Sequence, residues 1–144
     1  MRRSRGFSLA ELALVMGIIL ILAAIAIPVG LRANREGKEA KLLALLKELR
    51  TARSCFVSDC GGYPEQLTDV LTSTPPANCR STSDGSQMSV DPADFRGPYL
   101  VPADGLMPKD PITGLRQWSY NPQTGRVKSM APGENLQGTP FDEL

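Results

Sequence analysis

From Leu12 to Leu31 the chain carries no charged side chain. About twenty helical residues cross a bilayer core of roughly 30 Å, so this run is long enough to span one. Arg2, Arg3 and Arg5 stand before it with no acid among them. The positive-inside tendency keeps that end in the cytoplasm. One acid, Glu11, sits just inside the apolar segment. A charge there costs on the order of 3 kcal/mol or more unless it finds a partner.

The rest of the chain is read against that constraint. Its 144 residues suit one domain plus an anchor. The head beyond the first helix is small and gains from packing on a helix. The formal charge is +1, and removal of the three leading arginines takes it to about −2. That balance argues against a broad basic footprint for nucleic acid on the single subunit. There is no histidine, which excludes His-based triads, His metal sites and His proton shuttles. No nucleophile–base pair, phosphate loop or metal cluster stands out, so the sequence reads as no enzyme. Asp91, Asp94, Asp104 and Asp110 are scattered acids beside Pro or Gly and read as turn residues.

The ordered set Gly6-Phe7-Ser8-Leu9-Ala10-Glu11, followed by an Ile/Leu/Ala-rich helix to Pro28, resembles the N-terminus of type IV pilins and type II secretion pseudopilins. The resemblance implies cleavage by a prepilin peptidase after Gly6 and N-methylation of Phe7. It also implies that Glu11 pairs with the N-terminal amine of a neighbouring subunit during assembly. Two charges that are costly alone in lipid then become a register device. Ala10 and Ala13 depart from the larger aliphatics common around that glutamate. Gly17 and Pro28 bound the segment that, by the same resemblance, can unwind when subunits pack. Two alternatives remain at this point. A secretory signal peptide would use Ala24-Ile25-Ala26 as its cleavage site, although Glu11 interrupts the h-region. A plain membrane anchor would carry a soluble enzyme or binding module behind it.

The expected fold is α+β: a long N-terminal helix, transmembrane then amphipathic, packed against a small antiparallel sheet. The expected segments are a leader at 1–6, a transmembrane or filament-core helix at 7–31, an amphipathic helix at 32–60, and a head at 61–144. Pro28 and Gly30 predict a bend or soft spot. Arg32, Arg35, Glu36, Lys38, Glu39 and Lys41 read as a solvated collar. Leu42, Leu45, Leu49, Ala52 and Phe56 recur at helical spacing and predict the buried stripe. Leu43 and Leu46 widen that stripe and can serve neighbour contacts. Gly61-Gly62 ends the helix, and residues 65–71 allow one more short helix. The Ser/Thr/Pro-rich stretch 72–89 reads as loop. Tyr99-Leu100-Val101 reads as a short strand. Residues 116–120 and 126–130 read as an antiparallel hairpin around Asn121-Pro122-Gln123-Thr124-Gly125.

Three cysteines on the oxidising side of a membrane permit one disulfide. Cys60 with Cys79 closes the long loop onto the helix end, and a loop of about twenty residues can gain roughly 3 kcal/mol. Cys55 with Cys60 is the alternative. A zinc site from three cysteines lacks its fourth ligand.

Gly97-Pro98-Tyr99-Leu100, Pro108-Lys109-Asp110-Pro111, Trp118-x-Tyr120 and Gly125 are also similar to the head of major type II secretion pseudopilins. Those proteins often bind calcium through acids in the last loop. Here Glu134 and Asp142 are the weak calcium candidates, with Asn135 and Glu143 nearby, and no cofactor is otherwise expected. The resemblance implies a structural filament subunit, either of a pilus (adhesion, twitching motility or DNA uptake) or of a secretion pseudopilus. The implied partners are copies of itself, minor pilins, the prepilin peptidase, and an inner-membrane assembly platform with its ATPase. The implied location is the bacterial inner membrane before assembly, then a periplasmic pseudopilus or a surface pilus.

Overall fold

A computed structural model describes residues 8–144. It is an α+β arrangement of one long helix and two small antiparallel sheets. Helix α1 (Leu9–Cys60) runs unbroken through Pro28 and Gly30, so the expected soft spot does not interrupt it. The chain divides into two units, Met1–Gly37 and Lys38–Leu144.

In the first unit, α1 exposes its apolar side chains all round. Arg32 and Glu36 pair at 3.3 Å across one turn of its surface, an exposed contact of small energetic weight.

In the second unit, α1 supplies the core stripe. Leu42, Leu46, Leu49, Ala52, Phe56 and Cys60 are buried. Leu46 is therefore core and not a neighbour-facing residue, while Leu45 is only half-buried and Leu43 is exposed. Steps of three and four residues from Leu42 onward keep one face inward, and Leu46 fits that rhythm better than Leu45. Phe56 meets Phe95 and Tyr99 edge to face, with centroids 6.1 and 5.7 Å away. Such aromatic pairs prefer this geometry because ring edges are positive and ring faces negative.

The helix ends where Gly61 takes φ 76° and its N–H donates to the Val57 carbonyl. Gly62 then allows close passage, since a Cβ there would lie 2.6 Å from the Arg80 carbonyl oxygen. Strands β1 (Gly62–Pro64), β2 (Asn78–Ser81) and β3 (Gln87–Ser89) form an antiparallel sheet in that order. This sheet occupies much of the stretch expected to be loop. Its strands bury Gly62, Pro64 and Cys79 among mostly polar side chains, so they show no run of apolar side chains alternating with polar ones. A 3-10 helix (Leu67–Leu71) lies between β1 and β2 and buries Leu67 and Val70.

Residues 99–101 are not a strand. The N–H groups of Tyr99 and Leu100 both donate to the Val70 carbonyl, at 2.9 and 3.0 Å, so they close onto the 3-10 helix. The expected hairpin is present as β4 (Trp118–Asn121) and β5 (Arg126–Ser129), with Tyr120 opposite Val127. Val127 is buried, and Trp118 and Tyr120 pack half-buried against the core. Gly125 closes the turn at φ 65°, and a Cβ there would lie 2.5 Å from the Tyr63 ring.

Candidate functional site

Gly6 and Phe7, the expected cleavage and methylation residues, lie outside the described residues. Their neighbour Ser8 opens the helix. The Ser8 Oγ accepts the Ala10 N–H at 3.3 Å, and Glu11 Oε2 accepts the Ser8 N–H at 3.0 Å. Ser8 and Glu11 have the spacing of a capping box, in which an acid three residues in reaches back to the first unsatisfied N–H. The Ser-x-x-Glu spacing is the sequence signal of this role. One carboxylate oxygen is thus engaged within its own chain.

Behind Glu11 the helix presents an uncovered apolar surface. Every large apolar side chain from Leu12 to Leu31 is between 48 % and 70 % exposed. The segment is long and apolar enough to cross a membrane, and none of its most apolar window is covered by the chain itself. A Cβ built on Gly17 meets nothing within 4 Å. Nothing in the subunit itself requires a glycine there, and the same holds for Gly30. Pro28 sits inside the helix, exposed.

The head is fastened by polar contacts that the sequence did not announce. Asp110 is wholly buried. Its carboxylate accepts from the Ser129 hydroxyl at 2.5 Å and from the N–H groups of Ile112 and Thr113 at 2.7 and 3.2 Å. The reading of Asp110 as an ordinary turn acid is corrected here: it turns its own loop and also ties that loop to β5. Trp118 Nε1 donates to the Pro108 carbonyl at 2.9 Å, which fastens β4 to the same loop. The Tyr120 hydroxyl donates to the Pro64 carbonyl at 2.7 Å, joining the two sheets. Burial pushes the Tyr120 and Tyr99 hydroxyls well above the usual phenol range. Both stay protonated donors at any physiological pH. The collar residue Glu39 also belongs to the head, where it accepts the Leu136 N–H at 3.0 Å.

The three cysteines are free thiols. Cys60 and Cys79 are both buried, with Cys79 Sγ 3.9 Å from the Cys60 carbonyl oxygen, and Cys55 is exposed on the helix. Burial raises both buried thiols above the usual value. They are therefore protonated and slow to react unaided at neutral pH. Glu134 and Asp142 are exposed on the last loop, which is organised by buried Asn135. Asn135 Oδ1 accepts the N–H groups of Gln137 and Thr139 at 2.9 and 2.8 Å. Among the described residues no three His, Cys, Asp or Glu side chains converge as a metal site.

This arrangement presents an uncovered apolar helix surface and a head fastened by buried polar contacts. Residues 1–27 match the model of the prokaryotic N-terminal methylation motif. The chain thus carries a prokaryotic N-terminal methylation motif joined to a helix long and apolar enough to cross a membrane, and the two together support membrane anchoring. It is 40 % identical over 68 residues to the "Type IV major pilin protein PilA" of Myxococcus xanthus. That match covers 47 % of this chain and 31 % of the relative's length. No solved structure matches the chain.

Proposed function

We propose that this chain is a structural subunit of a type IV pilus-like filament. It is cleaved by a prepilin peptidase after Gly6, methylated on Phe7 and polymerised through its N-terminal helix. The observation that carries this reading is the uncovered apolar surface from Leu12 to Leu31 behind a capped Glu11. In the membrane, lipid covers that surface. In a filament, the helices of neighbouring copies cover it. Lipid is as apolar as leucine, so packing and polar matching must choose the register. Glu11 supplies the polar element, because its carboxylate can pair with the new ammonium of a neighbour's Phe7. Gly17 and Pro28 mark the stretch able to loosen as the copies close up. An inner-membrane platform, an ATPase and minor pilins complete the machinery, and adhesion, twitching motility or DNA uptake is the purpose.

A second reading, the major pseudopilin of a protein secretion system, is favoured by the head. Trp118 is fastened to the Pro108–Pro111 loop, and Tyr99 and Leu100 of the Gly97–Leu100 motif close onto Val70. In either case the head leaves the cytoplasm. Cys60 and Cys79 then oxidise by exchange with an oxidised thiol partner, which takes up their two electrons while both protons leave.

Mass spectrometry of the protein extracted from membranes tests both steps. The expected mature chain begins at N-methylated Phe7, and without reductant its mass is short by the hydrogens of two thiols. A chain beginning at Met1 or Ile27 overturns the processing. A full complement of thiol hydrogens overturns the bridge.

A further inference from the structure

The head carries two charged flanks that cannot satisfy each other within one subunit. On the first, Arg50 and Arg53 of α1 and Arg126 and Lys128 of β5 surround a groove of about 550 Å³, with Glu143 as the one acid on its lining. Two of these cations are held in place by main-chain oxygens. Arg53 Nη1 donates to the Gly125 carbonyl at 2.8 Å, and its guanidinium stands 5.7 Å from the Tyr63 ring centre. Arg50 Nη2 donates to the Val127 carbonyl at 3.1 Å and to the Leu144 main-chain oxygen. Arg53 Nε is buried and has no hydrogen-bond partner. None of the four is ion-paired with an Asp or Glu side chain among the described residues. Arg126 and Lys128 extend the same charge over a neighbouring depression of about 320 Å³.

The second flank lies at the end of α1. Asp59 accepts the Tyr99 hydroxyl at 3.0 Å. Asp94 and Asp59 both press electrostatically on Cys60. Asp91 is exposed at the start of the turn that carries Asp94, whose N–H donates to the Asp91 carbonyl. Arg96, also exposed, is the one cation in this turn. At 3.6 residues per turn, Arg50 and Asp59 lie about 180° apart around the helix, and Arg53 and Asp59 about 120° apart. The two flanks therefore stand on either side of the buried stripe of Leu49 and Phe56.

We infer that these flanks are the two halves of a head-to-head contact between successive copies of this chain. The basic groove of one subunit receives the Asp91–Asp94 turn of the next. Two unlike patches on one molecule make a heterologous contact, which repeats without closing and so builds a fibre. The inference rests on the filament reading and adds what that reading lacks: a recognition element outside the apolar rod. Aliphatic helices pack with many partners, whereas opposed charge patches suppress wrong ones and fix register. A contact of this kind weakens as salt rises, because exposed pairs are screened.

The test uses the full chain in cells. Filaments are treated with a zero-length reagent that joins amines to carboxylates, then digested and read by mass spectrometry. The expected product links Lys128 of one copy to Asp91 or Asp94 of another. In parallel, Arg126→Glu with Lys128→Glu, and separately Asp91→Lys with Asp94→Lys, each cut filament yield by about tenfold or more through like-charge opposition. The chain carrying all four substitutions restores the yield, which a simple folding defect does not do. Wild-type filaments without that cross-link, or no rescue in the fourfold variant, overturn the inference and leave the filament reading standing. A wild-type chain that forms no polymer at all removes both.

Discussion

Asp110 holds three donors at once: the Ser129 hydroxyl and the N–H groups of Ile112 and Thr113. Asp110→Ala leaves all three without their acceptor in a buried place. Hydrogen bonds to charged groups are worth about 1.5–3 kcal/mol, so the head should lose at least about 2 kcal/mol, read as a lower thermal midpoint of the full chain in detergent. Ser129→Ala removes one bond and should cost about 1 kcal/mol. Equal, negligible losses in both variants would contradict the keystone role. Glu11 is the other residue whose neighbours matter. Glu11→Gln keeps an oxygen to accept the Ser8 N–H, so the helix stays capped, but the negative charge is gone. The expected result is a chain that fractionates normally with membranes and yields few filaments. Normal filament yield would show that the charge plays no part in register.

At the scale of elements, the loop from Asp104 to Arg116 offers a pH test. Arg116 Nη2 lies 2.5 Å from Asp104 Oδ2, and that bond holds the Asp104 carboxyl below the usual carboxylate range. A folded value below the unfolded one means stability that is present above the unfolded pKa and lost as pH falls through the folded value. Melting curves taken downward from about pH 5 should therefore fall less steeply for Asp104→Asn than for the parent. Parallel curves would contradict the linkage. Salt should shrink the difference, since the pair is exposed. The legibility of the elements follows their apolar content. The α1 stripe, the helix stop at Gly61 and the β4–β5 hairpin were readable because Leu42, Leu49, Phe56, Gly125 and Val127 carry strong local signals. The β1–β2–β3 sheet was not, because the residues its strands bury, Gly62, Pro64 and Cys79, are not the branched or aromatic side chains that mark a strand. Leu46, not its neighbour Leu45, holds the centre of the stripe, and the role of Asp110 is hidden from local sequence because its Ser129 partner lies nineteen residues on.

For the whole molecule, the physical problem is an apolar surface that one chain does not cover. Under the proposed function, lipid covers it in the waiting subunit and copies of the same helix cover it in the polymer. The head adds its fastened loops and the charged flanks that we infer successive copies use to recognise each other. The most direct measurement is immunogold electron microscopy of envelope fractions from cells making the full chain, with the label raised against the head. Thin filaments labelled along their length are the predicted result. Label confined to membrane vesicles or to dispersed single molecules, with no polymer, would contradict the account.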